Sequence, residues 1–454
     1  MSPRLTIACI LFSLSVSGDA FGRTEIAKLV PNDIENLQNG FGWSVAIDGD
    51  YAVVGAPVDN GFDWGGEGAV YVFRRVGTNW VQQAKLKASD ASVVDQLGLS
   101  VAIDGDRIVA GAPRVAFSRG GFGAAYVFRR DDGGTPDDPE DDTWIEEAKL
   151  TAPAPELGDI FGLSVSICGD VIVAGKPGYE YSRGAAHVFR RTGLTWSHEA
   201  ALVGSDTHIG DKFGKSVTIS GDVVVVSAKF QNPLGADAGA YVFRRTGTDW
   251  VQEDNITSAR LPSGEFLAPS VAISGDALVV GGYQRHDPGP VFGSTYVFRR
   301  GADAWCQQAK LTPVAPRPWD EFGSRVSIDG TSVLIGAPSD DHAGPHSGSA
   351  YLFSSDGTRW RQVDKLTASD PYPGMRFGTS VSTDAQHALV GNPAGVYVFT
   401  TEGAPATLSD LAAFQNCFSG DGTMLAGCEV FDLIPDGRVD LRDYSQFMQT
   451  LGGP

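Results

Sequence analysis

The chain has 454 residues, of which 42% are hydrophobic, and its formal net charge is −20. This length suits two or three average domains or one large repeat domain, and the apolar content excludes a chain that is disordered throughout. The negative charge disfavours nucleic acid as a partner, because the phosphate backbone would be repelled. The 57 glycines and 25 prolines indicate many turns and therefore many short strands.

The first twenty residues are typical of a secretory signal peptide. A basic residue precedes an apolar run from Leu5 to Val16, and the small residues Gly18 and Ala20 follow at the spacing of a cleavage site. The alternative is a buried N-terminal strand. The run is short for a membrane span, and no later stretch reaches that length. We therefore expect residues 1–20 to be a signal, and the protein to be secreted or displayed at the cell surface without a transmembrane segment.

One sequence pattern recurs along the chain. It opens with Phe-Gly, passes through an apolar run and a Gly-Asp-like turn, and ends near Gly-Ala-Pro, as in FGWSVAIDGDYAVVGAP at residues 41–57. Each copy continues into an aromatic segment such as AVYVFRR, and six copies then carry a tryptophan followed in most cases by a relative of VQQAKL. The seven copies begin at Phe41, Leu97, Phe161, Phe213, Leu267, Phe322 and Phe377.

Each copy predicts four short strands, which we call A to D. Strand A (SVAI) alternates small and branched residues, strand B (YAVVGA) is apolar throughout, strand C (AVYVF) alternates large and small residues, and strand D (WVQQAKL) is the most polar. A polar strand D is expected at the outer edge of a sheet. Seven four-stranded units predict an all-β, seven-bladed β-propeller over residues 21–402.

The two ends of the repeat region complement each other. The seventh copy stops after Tyr397-Val398-Phe399 without a strand D, whereas TEIAKLV at residues 24–30 precedes the first copy. Without an exchange, one end would carry an orphan strand and the other a three-stranded blade. We therefore predict that the N-terminal strand completes the last blade and closes the ring.

These units resemble the FG-GAP repeats of integrin α-chain propellers and of many exported bacterial proteins, over about residues 24–402. The resemblance implies a propeller with a role in adhesion or another interaction. Many such repeats carry a longer DxDxDG loop that holds calcium between strands A and B. Here the connection is IDGD, ISGD, ICGD or IDGT, and TDAQ in the seventh copy, which is too short to wrap an ion. We interpret Asp48-Gly49-Asp50 and its equivalents as hairpin bends.

The long connections between strands B and C are the candidate ligand face. Because strands alternate in direction, these loops share one end of the propeller with the D–A connections, and variable loops on a rigid scaffold commonly carry binding. Aromatic residues beside arginine and aspartate suit sugar rings or protein side chains, and the alternative is that they fold back over the blade ends. The candidates are Asp63, Trp64, Arg119, Tyr179, Tyr181, Arg183, Tyr283, Arg285 and His286.

Acidic residues two positions before the start of five copies also fall on this face. They could form a partial ring that attracts a cation, or they could be solvated loop residues. These acids are Asp95, Asp159, Asp211, Glu265 and Asp320.

Residues 403–454 predict a small α-helical module. Apolar residues recur at helical spacing in LSDLAAFQNCF and in VDLRDYSQFMQTL, on either side of a loop at residues 432–443. The segment resembles a dockerin or EF-hand-like module. Ile434 departs from the pattern, because an oxygen ligand is expected there. The resemblance implies a Ca²⁺ site formed by Asp432, Asp436, Asp440 and Asp443 together with the carbonyl of Arg438.

The alternative for this tail is a two-helix hairpin that binds no ion. Cys417 and Cys428 flank a glycine-rich turn, and a local disulfide between them is plausible in an exported protein. A module of this size needs some such staple, because its core is small.

Catalytic motifs are scarce. Glycine clusters such as GGFGAAYVF precede strands instead of opening a helix, and there is no GxSxG elbow. We therefore expect a monomeric, non-enzymatic protein outside the cytoplasm that binds a protein or glycan partner through its propeller and docks through its tail. One alternative is a component of a glycan-binding or polysaccharide-degrading system attached through a dockerin-like tail. A structural surface-layer protein is another.

Overall fold

The computed structural model describes residues 23, 25–33, 39–59, 66–115, 121–135, 142–178, 182–228, 239–257, 260, 265–284, 292–302 and 304–401. The chain divides into two compact units, and the unit Glu25–Glu402 contains every strand of the described part. The other unit comprises Met1–Thr24 and Gly403–Pro454. The predicted signal peptide and the predicted helical tail therefore lie outside the described residues and stay predictions.

The described residues form seven four-stranded antiparallel sheets, which we number as blades one to seven. Blade one contains β2 (Ser44–Asp48), β3 (Tyr51–Ala56), β4 (Ala69–Val76) and β5 (Asn79–Leu86). Blade two contains β6 (Ser100–Asp104), β7 (Arg107–Ala112), β8 (Ala124–Asp131) and β9 (Thr143–Leu150). Blade three contains β10 (Val165–Cys168), β11 (Val171–Lys176), β12 (Ala185–Thr192) and β13 (Thr195–Leu202). Blade four contains β14 (Val217–Ser220), β15 (Val223–Ala228), β16 (Gly239–Thr246) and β17 (Asp249–Thr257).

Blade five contains β18 (Glu265–Ser274), β19 (Ala277–Gln284), β20 (Gly293–Arg300) and β21 (Trp305–Leu311). Blade six contains β22 (Arg325–Asp329), β23 (Ser332–Ala337), β24 (Ser349–Ser355) and β25 (Trp360–Leu366). Blade seven contains β26 (Ser380–Thr383), β27 (His387–Asn392), β28 (Gly395–Thr400) and the N-terminal β1 (Glu25–Leu29). Each blade runs from strand A at the centre to strand D at the rim, which confirms the predicted seven-bladed propeller.

The N-terminal strand closes the ring as predicted. β1 pairs antiparallel with β28, with Lys28 opposite Tyr397 and Leu29 opposite Val396. It is also tied to blade six, because the Ser369 amide donates to the Glu25 carboxylate at 3.0 Å. Closure leaves no blade without its outer strand, so every blade has two neighbours.

The blades meet through glycine backbones near the centre. A Cβ placed on Gly55 of the Gly-Ala-Pro motif would lie 1.9 Å from the carbonyl oxygen of Gly98, in the Leu97-Gly98 pair that opens the next copy. The same contact joins Gly111 to Gly162 at 1.9 Å. No side chain fits at such a distance, and this explains why glycine recurs at both positions in most copies. The exceptions are Ser227 at the position of Gly55 in copy four and Ala268 at the position of Gly42 in copy five.

The phenylalanine that opens five of the seven copies belongs to the core between blades. The Phe41 ring is 2% exposed and meets the Tyr71 ring edge to face, with centroids 5.3 Å apart. Its cluster also contains Leu389 and Val396 of blade seven. The core is therefore a series of layers between adjacent blades, and each layer uses residues from two copies.

Nearer the rim, charged residues of strands C and D join successive blades. The Glu253 carboxylate accepts from Arg244 of its own blade at 2.8 Å and from Arg300 of the next blade at 3.1 Å. The Glu199 carboxylate does the same with Arg190 at 2.9 Å and Arg245 at 2.9 Å. The recurring Arg-Arg pair at the end of strand C is therefore part of the joint between blades.

Closure by β1 predicts unequal costs for two substitutions on this strand. Leu29 is 2% exposed, whereas Ile26 is 39% exposed. Leu29→Ala should lower the free energy of unfolding by about 2–4 kcal/mol, because it opens a cavity between blades seven and one. Ile26→Ala should cost less than about 0.5 kcal/mol. Urea denaturation of both variants measures the difference, and similar costs would contradict the closure.

Candidate functional site

The two ends of the propeller differ in their connections. The A–B turns of blades one to six contain two residues each, as at residues 49–50. The B–C connections at the opposite end contain eight to twelve residues in blades one to six, as at residues 57–68, and two in blade seven. We call the end with the B–C and D–A connections the loop end. It offers a variable surface over a constant scaffold, as binding sites commonly require.

A cavity of about 410 Å³ lies at the centre of the ring, where the inner strands begin. Strand A starts directly after the D–A connection, so these first residues place the cavity at the loop end. Its described lining consists of Trp43, Ser44, Val45, Leu99, Ser100, Val101, Leu163, Ser164, Val165, Lys215, Ser216, Val217, Ser270, Val271, Arg325, Val326, Ser380 and Val381. We call this cavity the channel mouth.

A ring of equivalent positions runs around the channel mouth, three residues after the start of each copy. Serine occupies this position in six of the seven copies, and arginine occupies it in blade six. The ring is Ser44, Ser100, Ser164, Ser216, Ser270, Arg325 and Ser380. The serines link blades: the Ser44 hydroxyl donates to the Gly98 carbonyl at 2.8 Å, and the Ser380 hydroxyl to the Gly42 carbonyl at 2.7 Å. The ring is thus part of the scaffold everywhere except in blade six.

Arg325 brings a positive charge to the channel mouth. One of its terminal nitrogens donates to the carbonyl of the adjacent Ser324 at 2.9 Å. The protein around the channel lowers the pKa of the Arg325 guanidinium, because it replaces bulk water, and the nearby Glu321 carboxylate opposes this change. Lys215 supplies a second positive charge, and none of the described lining residues is acidic.

The acids two positions before each copy do not form an ion-attracting ring at the surface. Asp95, Asp159 and Asp211 are 3–5% exposed. Each accepts a hydrogen bond from a backbone amide three residues earlier, as Asp95 does from Ser92 at 2.9 Å. Neither a cation-attracting ring nor solvated loop acids, the two expectations for these positions, describes these three residues. Their buried carboxylates instead accept backbone hydrogen bonds within the D–A turns. The Glu265 side chain lies outside the described set.

Burial perturbs some of these acids. It raises the pKa of the Asp95 and Asp211 carboxyls, because the charged form is less well solvated than in water. Burial and the neighbouring Asp340 carboxylate raise the pKa of Asp320 to about 6. These shifts follow from a structural role and do not identify a catalytic acid.

The D–A connections also hold unusual backbone. In five copies, the residue directly before the opening Phe or Leu has a positive φ, between 47° and 61°. These residues are Gln96, Ile160, Lys212, Glu321 and Arg376. Side chains rarely adopt this left-handed conformation, and the fold holds it by pairing the next residue with the preceding blade, as in the parallel bridge between Gly68 and Leu97. Sequence patterns gave no signal of this turn.

Among the ligand-face candidates, Arg183 is described with its side chain and is a structural link. Its Nε donates to the Thr207 hydroxyl at 3.0 Å, and a terminal nitrogen donates to the Gly204 carbonyl at 3.1 Å. It therefore joins a B–C loop to a D–A loop. This agrees with the alternative interpretation, in which the candidate residues fold back over the blade ends. Tyr283 lies in β19, where its backbone pairs with Phe266 and Gly293.

The remaining candidates lie outside the described residues and stay predictions. They are Asp63, Trp64, Arg119, Tyr179, Tyr181, Arg285, His286, Asp432, Asp436, Arg438, Asp440, Asp443, Cys417 and Cys428.

The A–B turns at the opposite end have a structural role. The Asp48 carboxylate accepts from the Gly105 amide of the next blade at 2.7 Å. Ser220 and Ser274 do the same for Gly275 and Gly330, both at 3.1 Å. This explains why the position tolerates aspartate or serine, since both supply an acceptor. In the part of the chain that the structure describes, no three His, Cys, Asp or Glu residues are grouped as a metal site would require.

The seven copies match the FG-GAP repeat family at residues 23–73, 80–128, 144–189, 196–243, 250–298, 305–353 and 360–399. The fold and the repeated joints define a seven-bladed β-propeller of this type. The chain belongs to the FG-GAP repeat family. No curated protein sequence matches it.

The chain is also similar, at low identity and with TM-scores below 0.5, to several solved structures. An oligogalacturonate lyase in complex with manganese is 12% identical with a TM-score of 0.44, over 82% of this chain and 91% of its own. The Trypanosoma rangeli sialidase is 14% identical with a TM-score of 0.38, over 86% of this chain and 60% of its own. The GH74 xyloglucanase from Xanthomonas campestris is 15% identical with a TM-score of 0.43, over 88% of this chain and 54% of its own. Identities this low reflect the fold alone.

The expectation of a non-enzymatic protein is corrected by these structures. All three are enzymes by their descriptions. The lack of a short catalytic motif in this chain does not by itself exclude an activity, because a fold alone does not determine function. The physical reason is that a site on a propeller draws residues from several blades. Such residues are far apart in sequence and form no contiguous motif.

In the described part of the chain, no helix has the length and apolar character that crossing a membrane requires.

The raised pKa of Asp320 predicts a pH-dependent stability. Its folded-state pKa of about 6 exceeds the ordinary value of 3.8, so the native protein loses stability as pH rises through about 6. Asp320→Asn keeps this position neutral, and should therefore stabilise the protein at about pH 7.5 and have little effect at about pH 3.5, below the unfolded-state pKa. Urea midpoints at both pH values measure this, with the exposed Asp249→Asn as a control for net charge. A gain that is the same at both pH values would contradict the account.

Proposed function

We propose that this protein is an exported binding protein whose propeller presents a ligand site at its loop end. The observation that carries the proposal is the asymmetry of the two ends. One end consists of tight turns apart from the C–D connection of blade two at residues 132–142, whereas the other combines B–C connections of up to twelve residues in six blades with an open cavity at the ring centre. A rigid ring that holds variable loops around a cavity suits recognition of a partner.

The joints between blades support this role by fixing the site in place. Glycine contacts and ring serines recur in most joints, and Arg–Glu bridges join blade three to four and blade four to five. The loops therefore vary without disturbing the positions of the inner strands, and the cavity keeps its shape when the loops change.

A glycan partner is the second candidate, and one feature favours it. Trp43 lines the channel mouth together with the hydroxyls of the ring serines. An indole face packs against the apolar face of a sugar ring, and hydroxyl and charged groups bind its polar edge. In this version the protein serves a glycan-binding or polysaccharide-degrading system.

The C-terminal segment is proposed as the docking module of the same protein. Asp432, Asp436, Asp440 and Asp443 are the proposed Ca²⁺ ligands with the carbonyl of Arg438, by the sequence pattern alone. This places a ligand site and an attachment site on separate parts of one chain.

Binding to immobilised glycans and to proteins of the exported fraction tests the proposal with the full mature chain. The combined variant Trp64→Ala and Tyr179→Ala changes the loop end and should weaken capture at least about tenfold, as expected for aromatic anchors. Leu194→Ala is the matched control, because Leu194 is 76% exposed in a turn at the opposite end. It should leave capture unchanged.

Two results would contradict the proposal: no partner captured from either source, or equal loss in the loop-end variant and in Leu194→Ala. Repeating the capture with calcium and with a chelator separates the tail from the propeller, because only the proposed tail site depends on the ion.

A further inference from the structure

We infer that the channel mouth is a binding site for the anionic group of a small ligand, with Arg325 as its principal contact. The inference rests on the proposed function for its location, because it uses the same loop end. It adds the chemistry of the ligand: a carboxylate or sulfate carried on a molecule about the size of a sugar ring. Three observations support it.

The first observation is that Arg325 replaces a residue with a repeated structural use. At four of the other ring positions the serine hydroxyl donates to the glycine carbonyl of the next blade: Ser44, Ser100, Ser164 and Ser380, at 2.7–3.0 Å. At two more it accepts from a backbone amide of the next blade: Ser216 and Ser270, at 3.3 and 3.0 Å. Arg325 lacks the hydroxyl that forms this link between blades. A local rule broken once in a repeated structure is typical of a functional position.

The second observation is the sign of the charge. The whole chain carries −20, yet the described lining of the channel mouth contains Lys215 and Arg325 and no acidic residue. The Glu321 carboxylate, which acts on Arg325 from outside this lining, forms an ion pair with Arg376 at 3.2 Å. A positive site inside a negative protein attracts an anion locally, and the surrounding negative surface disfavours extended polyanions.

The third observation is the form of the cavity. Its volume of about 410 Å³ is in the range of small-molecule sites, and its walls combine valine side chains with serine hydroxyls and Trp43. The Arg325 side chain is exposed, and its guanidinium has two edges that match a carboxylate or sulfate. A small acid with an apolar face therefore fits better than a bare inorganic ion.

Isothermal titration of the full mature chain tests the inference with sodium D-glucuronate, sodium sulfate and D-glucose. Glucose is the neutral match of glucuronate. The key variant is Arg325→Ser, which restores the residue of the other six blades. We expect glucuronate or sulfate to bind with one site per chain and to bind about ten- to hundredfold more weakly to Arg325→Ser, because a charge-assisted contact is lost.

Arg325→Ser also separates binding from folding. A serine at this position can donate to the Gly378 carbonyl as its equivalents do, so its urea midpoint should equal or exceed that of the native chain. Arg325→Lys keeps the charge without the planar fork and should retain part of the affinity. Loss of binding in a variant that is at least as stable as the native chain assigns the effect to the guanidinium.

The inference is overturned if neither anion binds, if Arg325→Ser binds them as tightly as the native chain, or if glucose binds as well as glucuronate. These outcomes are distinct from failure of the proposed function. Capture of a partner through the B–C loops, lost in the Trp64→Ala and Tyr179→Ala variant, would persist in Arg325→Ser if the channel mouth were not used.

Discussion

Most joints of the ring depend on a close backbone contact between two glycines, although Ser227 and Ala268 occupy the two equivalent positions between blades four and five. In the joint between blades two and three, a Cβ on Gly111 would lie 1.9 Å from the Gly162 carbonyl oxygen, and in the next joint a Cβ on Gly175 would lie 2.0 Å from the Gly214 oxygen. This contact sets how closely the inner strands approach. The ring serines, the layered core and the size of the channel mouth all follow from that spacing. The Phe-Gly and Gly-Ala-Pro motifs are therefore two halves of one joint.

Because the joint between blades is repeated, a residue that departs from the repeat indicates a position with another role. Most positions of the inner strands do the same work in every blade, so Arg325 is conspicuous where six blades have serine. The long B–C connections are the other departure, and they surround the same end. Function in this architecture is expected where the repeat is broken, because the unbroken parts are occupied in holding the blades together.

The sequence predicted the architecture well because its signals are local and repeated. The missing strand D after Phe399 and the spare TEIAKLV segment together predicted the closure, which the pairing of β1 with β28 confirms. The role of the acids before the copies was harder to predict, because the sequence does not show that the Asp95 carboxylate turns inward to a backbone amide. The same holds for Arg183, whose partners lie in another loop. The channel mouth was missed since its residues come from seven distant copies, although an arginine among six aligned serines was a visible signal.

The glycine joint can be tested directly with two alanine substitutions in one blade. Gly111→Ala places a methyl group against the Gly162 carbonyl, whereas Gly105→Ala has open space within 4 Å and only the cost of a left-handed φ of 58°. The account predicts that Gly105→Ala lowers the free energy of unfolding by about 1–2 kcal/mol. Gly111→Ala should lower it by more than about 3 kcal/mol or prevent folding, because two blades must move apart. Equal and small losses in urea denaturation would contradict the claim that this contact sets the spacing of the ring.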